Sequence, residues 1–293
     1  MRRLVLLVVL ATCAVFTLPQ IASAAVPRCL GKRATIVGTA RADLIKGTAR
    51  VDVITGLGGS DVIKGLGGGD WICGGNGSDK LIGGDRGDAL LGEAGNDALS
   101  GGGGSDFFFG GPGNDTFNGG AGIDDTATYF LAPSGVQADL AAGTATGEGT
   151  DTLTGIEDLE GSRFDDTLTG DPSWNFFFPG GGNDIVVGGG DTRDRVDFFF
   201  SPDAVVVDLT AGTATGEGTD TLTGIGQVFG SRHDDTITGD ANANSLYGGQ
   251  GTDAISGVAG DDTLDGGDGT DTLDGGDGTD TCTTGETVTN CEA

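Results

Sequence analysis

The 293-residue sequence holds 60 glycines, 44 Asp and Glu against 15 Lys and Arg, and a formal charge of −29 at neutral pH. Such a charge repels phosphate, which excludes nucleic acid as a partner, and it leaves a chain in need of cations. The composition is that of a disordered linker, yet disorder imposes no fixed spacing on apolar residues, and this chain has one.

At the N-terminus Arg2 and Arg3 precede an apolar run from Leu4 to Leu18 and the small residues Ala22, Ser23 and Ala24. The pattern predicts a secretory signal peptide over residues 1–24, cleaved near Ala24 and too short to span a membrane. The mature chain is then expected to be secreted, extracellular and without a transmembrane segment. Cys13 leaves with the signal, and Cys29, Cys73, Cys282 and Cys291 remain. An even number in an exported chain favours disulfides over metal thiolates. Three connectivities are open, and the pairs Cys29–Cys73 and Cys282–Cys291 would close one end of the fold each.

Residues 25–37 are expected to form an N-terminal capping coil, with Ile36 pointing inward and Ala34 where later units carry aspartate. From there to Ala127 aspartate recurs every nine residues: Asp43, Asp52, Asp61, Asp70, Asp79, Asp88, Asp97, Asp106, Asp115 and Asp124. A glycine stands five residues before each. An apolar residue stands two after each, from Ile45 to Phe117, and Thr126 alone departs from that rule. A period carried by three residue types defines a repeat unit.

In the unit Gly74–Ile82 the first six residues are turn formers and the last three suit a short strand with its middle side chain inward. Two units make one coil, and coils stack as parallel strands about 4.8 Å apart. Asp43, Asp61, Asp79, Asp97 and Asp115 then line one edge, and Asp52, Asp70, Asp88, Asp106 and Asp124 the other. One buried apolar side chain contributes roughly 1.5–3 kcal/mol per unit, while ordering each backbone residue costs about 1–2 kcal/mol. Carboxylates one coil apart also repel, by roughly 3 kcal/mol at an effective dielectric of 20. A cation held by carboxylates and turn carbonyls answers both deficits. Ca2+ suits this oxygen-only, loosely shaped donor set better than magnesium. Zinc lacks ligands, since His233 is the only histidine.

Beyond Ala127 a longer repeat appears. The stretch from Gly143 to Ile156 recurs unchanged from Gly212 to Ile225, an offset of 69 residues. We read 128–160 and 197–229 as bridging β segments, 161–196 as a short nonapeptide block, 230–283 as a second block and 284–293 as a C-terminal cap. The returning units place Asp166, Asn175 and Asp184, then Asp235, Asn244, Asp253, Asp262, Asp271 and Asp280, at the aspartate position. Arg193 stands in the first block where Asp262 stands in the second. Of the Phe triplets 107–109, 176–178 and 198–200, two members of each three are expected to face outward.

Gly74–Ile82 and Gly110–Asn118 resemble the G-G-x-G-x-D-x-U-x repeat of the RTX, or haemolysin-type calcium-binding, family, and the resemblance covers most of the mature chain. It implies an all-β fold, a right-handed parallel β-roll with calcium between turns, held by the repeat aspartates and by turn carbonyls from units two apart. The metal ligands it implies are the repeat aspartates named above. Arg41, Arg50 and Arg86 take the fourth position, normally Gly, in the units of Asp43, Asp52 and Asp88, where they are expected to replace part of a cation's charge. Asp61, Asp70, Asp79, Asp97, Asp106, Asp115 and Asp124 keep glycine there.

No catalytic motif stands outside the repeats, and the acid pairs Asp165-Asp166 and Asp234-Asp235 recur in phase with the period. The sequence therefore predicts a non-enzymatic secreted protein whose folding is coupled to extracellular calcium. The alternative is a calcium-dependent adhesin, or a glycan- or ice-binding module acting on a cell or host surface through flat Thr-rich or Phe-rich strand faces. A hydrolase is the weakest of the three readings.

Overall fold

The computed structural model describes residues 27–292, so the signal-peptide expectation lies outside the described residues. Every named element is a strand. Leu44–Lys46 shows why. Ile45 is buried while its neighbours Leu44 and Lys46 face out, so three residues after each aspartate supply one core side chain. Nine residues on, Val53–Thr55 turns Ile54 into the core from the opposite sheet, with Val53 covered on the outer face by a second cluster that holds Cys29, Trp71 and Cys73. Eighteen on, Val62–Gly67 returns to pair in parallel with Leu44–Lys46.

The 18-residue coil repeats with strict register. On one sheet Ile45 faces Ile63, then Leu81, Leu99 and Phe117. On the other Ile54 faces Ile72, then Leu90 and Phe108. These side chains form a single core running the length of a parallel β-solenoid of about 14 turns, the architecture of a β-roll. One sheet has 13 strands, from Ile36–Val37 to Thr281–Thr283. The other runs from Leu44–Lys46 to Thr287–Thr289 and is longer.

The bridging segments account for the extra length. After Thr126–Thr128 the chain lays down Gln137–Asp139, doubles back antiparallel through Thr144–Thr146, and sets Thr150–Thr154 against Thr116–Ala121. The next strand, Thr167–Thr169, then pairs with Gln137–Asp139. Val206–Asp208, Thr213–Thr215 and Thr219–Thr223 repeat the manoeuvre. The solenoid thus continues through both segments, with two additional strands on one sheet only. That sheet must lengthen by about 10 Å relative to its partner at each insertion. Small inward residues, Ala138 and Ala145 in the first copy and Val207 and Ala214 in the second, line the added strands. Tyr129 and Phe198 belong to the same buried core.

Both ends are tied. At the N-terminus the expected capping coil is instead an antiparallel hairpin, Arg28–Cys29 with Lys32–Arg33, followed by the single strand Ile36–Val37. Cys29 is bonded to Cys73 (Cα–Cα 5.5 Å), and the Lys32 ammonium lies 3.6 Å from the centre of the Trp71 ring. At the C-terminus Cys282 is bonded to Cys291 (Cα–Cα 5.9 Å). The last coil is short, with Thr272 opposite Thr287, so Val288 takes the opposite-strand position expected for Cys291.

The Phe triplets bury more than alternation predicts. Phe108 and Phe177 are the core residues, but Phe109 and Phe176 are also buried on the outer face. Phe176 is covered by Trp174, at 4.8 Å between ring centres, and by the Arg195 guanidinium at 4.0 Å. In the third triplet Phe198 is the inward residue, and Arg232 lies over Phe199.

Candidate metal centre

The turn between strands places each repeat aspartate at the seam where one coil meets the next. Asp61 Oδ1 accepts the backbone N–H of Asp43, one coil earlier, at 2.8 Å. The same bond links Asp79 to Asp61, Asp97 to Asp79 and Asp115 to Asp97 at 2.7–2.8 Å. On the opposite edge it links Asp70 to Asp52, Asp88 to Asp70 and Asp106 to Asp88 at 2.6–2.8 Å. The carboxylates therefore form two ladders in which each side chain caps the coil before its own.

One oxygen of each carboxylate is spent on that cap. The other, Oδ2, is buried without any hydrogen-bond partner in Asp61, Asp70, Asp79, Asp88, Asp97, Asp106, Asp115, Asp184, Asp194, Asp253, Asp262, Asp271 and Asp280. A buried acceptor left bare costs about 1–3 kcal/mol, more when charged, and repetition at so many positions argues for an absent partner of opposite charge. The space beside it has the right character. A side chain at Gly56 would collide with both the Asp61 carboxylate and the carbonyl of Gly74, so glycine keeps open a cradle lined by oxygens from two coils. Gly92 is placed likewise between Asp97 and the carbonyl of Gly110. Among the described residues no three His, Cys, Asp or Glu side chains converge on one point. A cation here must draw on backbone carbonyls beside the carboxylates, and a hard, oxygen-seeking divalent ion fits that donor set.

Electrostatics point the same way. Burial, reinforced by neighbouring carboxylates, pushes Asp88 up to about 8 and Asp106, Asp115 and Asp184 to about 7. Asp97 and Asp253 rise to about 6 for the same reasons. Without a cation Asp88 is mostly protonated at neutral pH, and Asp106, Asp115 and Asp184 share that state about evenly with the ionised one.

Several expected positions are corrected. Asp124 is not on the ladder. Asp125 is, accepting the Asp106 N–H at 2.8 Å, because the turn before it carries one extra residue. The slip also explains Thr126: the inward residue of that unit is Ala127. A second slip of one puts Asp194, not Arg193, opposite Asn175, whose N–H it accepts at 2.9 Å. Arg193 instead pairs with Asp191 at the surface. Asp88 keeps a bare Oδ2 like its neighbours, so Arg86 does not close that site.

Asp43, Asp52, Asp166 and Asp235 differ for another reason: their Oδ2 is already bonded. Thr39 donates to Asp43 through N–H (2.6 Å) and Oγ1 (2.8 Å), and Thr48 to Asp52 through the same pair of groups (2.7 and 2.9 Å). Ser162 and Ser231 donate from backbone and hydroxyl to Asp166 and Asp235.

The ladders also recruit residues the nonapeptide count misses. Asp115 is capped by Asp151 (2.9 Å) and Asp184 by Asp220 (3.0 Å), each 36 residues on, two coil lengths, because the bridging hairpin intervenes. The Tyr129 hydroxyl donates to the second oxygen of Asp151 at 3.1 Å. Glu157 caps Asp125 beside the first bridging segment, and Glu286 and Glu292 cap Asp271 and Asp280 at the C-terminal end.

The family model for the RTX calcium-binding nonapeptide repeat matches residues 37–72, 46–81, 74–108, 82–117, 91–125, 151–186, 229–264 and 247–282, which together span more than half of the chain. No curated protein matches the chain.

Proposed function

We propose, for a chain that belongs to the RTX calcium-binding nonapeptide repeat family, that calcium is the structural partner which completes the fold, and that the roll closes only where calcium is plentiful. The repeats are calcium-binding and the role of the roll is structural. The observation that carries the further step is the row of buried, unpartnered Oδ2 atoms facing glycine carbonyls. The carboxylates of Asp61, Asp70, Asp79, Asp88, Asp97, Asp106, Asp115, Asp184, Asp194, Asp253, Asp262, Asp271 and Asp280 would hold the ions. Bound calcium would supply the charge and adhesion between coils that single apolar side chains cannot.

Export fits the same reading. Two disulfides in a small-cored protein suit an oxidising compartment, and calcium scarcity inside a cell would keep the chain unfolded until it leaves. Circular dichroism of the purified chain in chelator and in millimolar calcium tests the coupling. At pH 8 strand content should rise on calcium addition, and full strand content in chelator at that pH would refute it. A surface-binding role is the second reading, favoured by the outward threonines of 144–154 and 213–223. Calcium-dependent retention on cell-wall polysaccharide would support it.

A further inference from the structure

We infer that the second residue of each nonapeptide, rather than the fourth, decides whether that unit's aspartate is open to a cation, so that this roll is an interrupted ladder with closed rungs at Asp43, Asp52, Asp166 and Asp235. The inference rests on the calcium reading above and adds to it which rungs take part.

Every open rung shares one backbone feature. At Asp79, Asp88, Asp106, Asp115, Asp184, Asp194, Asp253, Asp271 and Asp280 the second residue is glycine, with φ between 84 and 133°. At Asp61, Asp70, Asp97 and Asp262 it is Leu57, Leu66, Glu93 or Val258, and each of these also holds a positive φ, of 71–85°. That is a conformation L-residues rarely adopt. No hydrogen bond reaches the aspartate's Oδ2 from any of these residues.

At the closed rungs the second residue is Thr39, Thr48, Ser162 or Ser231, and none has a positive φ. The turn then aims its N–H at the carboxylate four residues on, and the hydroxyl adds a second donor, the local side-chain capping for which Ser and Thr are suited. The rest of the cradle is unchanged: Gly47 still stands between Asp52 and the carbonyl of Gly65, as Gly56 stands between Asp61 and that of Gly74. A neutral N–H thus meets Oδ2 at every closed rung, joined there by the hydroxyl at Asp43 and Asp52, while at Asp166 and Asp235 the serine hydroxyl donates to Oδ1. Two units with asparagine in place of the aspartate follow the same rule. Asp171 and Asp240 at the second position donate their N–H to Asn175 and Asn244 at 2.8 and 2.7 Å.

Closed rungs fall where the roll begins and where it resumes after each bridging hairpin. The first two units lie beside the Cys29–Cys73 bridge, and Asp166 and Asp235 accept the N–H of Val136 and Val205 from the hairpin strands. These places need a turn that forms without metal, on which calcium-dependent coils can then build.

The test is to count calcium on the full chain by native mass spectrometry, with equilibrium dialysis as a check. Thr48→Gly should open Asp52 and raise the count by one. Leu66→Thr should close Asp70 and lower it by at least one, while relieving backbone strain, so loss of fold is not expected to confuse the result. Unchanged counts in both variants, with the wild-type chain loaded, would overturn the inference and leave the calcium reading standing. A wild-type chain that binds no calcium would overturn both.

Discussion

Acidification of the calcium-free protein should fold it. Burial holds Asp88 up to about 8 and Asp106, Asp115 and Asp184 to about 7 in the folded roll, whereas in the unfolded chain all four titrate near the usual carboxylate value of about 4. A carboxyl whose folded value is raised binds its proton more tightly in the native state. Its contribution to stability is fully present below about pH 4 and is lost as pH rises through about 7 to 8. At pH 6 these four groups are mostly neutral when folded and charged when unfolded, so folding takes up an upper figure of roughly four protons from them alone. Protons then do in chelator what calcium does at neutral pH: they remove the charge from the ladders. Far-UV circular dichroism in chelator, titrated from pH 8 to pH 5, should show strand content rising, with proton uptake measurable in weak buffer. In calcium the sense reverses, because protons compete with the ion and the calcium needed for half-folding increases as pH falls. A chelated protein whose strand signal stays flat or declines across this range would refute the reasoning.

Asp97→Asn keeps the Oδ1 cap on the Asp79 N–H but removes the charge. In chelator at pH 8 it should stabilise the roll, by up to about 3 kcal/mol of relieved repulsion. In calcium at a hundredfold excess over Kd it should destabilise by about 2.7 kcal/mol per lost ion. Thermal melts showing the same sign in both conditions would contradict the metal assignment. Leu81 is wholly buried in the central stack, and Leu81→Ala should cost about 2–5 kcal/mol in calcium, read from the denaturant midpoint. Reduction should weaken the two ends unequally. Cys29–Cys73 spans 44 residues and closes a loop worth about 4 kcal/mol in chain entropy, while Cys282–Cys291 spans nine and is worth about 3. Single Cys→Ser pairs compared by melting temperature in calcium check the order.

Spacing alone determined the solenoid. A glycine, an aspartate and an apolar residue locked to a period of nine admit one solution, in which Ile45, Ile63 and Leu81 stack because each lies a whole coil from the last. For the cysteines the sequence left three pairings open, and the fold closes the one that ties each end, Cys29–Cys73 and Cys282–Cys291. Tertiary structure decided what happens where the count slips or pauses. Asp124 and Asp125 are indistinguishable as letters, and only the coil beneath, offering the Asp106 N–H, selects Asp125. Asp151 and Asp220 stand four nonapeptide periods after Asp115 and Asp184, but a hairpin lies between, and only the fold shows that each caps that earlier coil. The open or closed state of each rung lies in between. The hydroxyls of Thr39, Thr48, Ser162 and Ser231 are plain in the sequence, but their meaning depends on the sign of one backbone angle. That angle sets whether an N–H or a cation meets the second oxygen of the aspartate ladder.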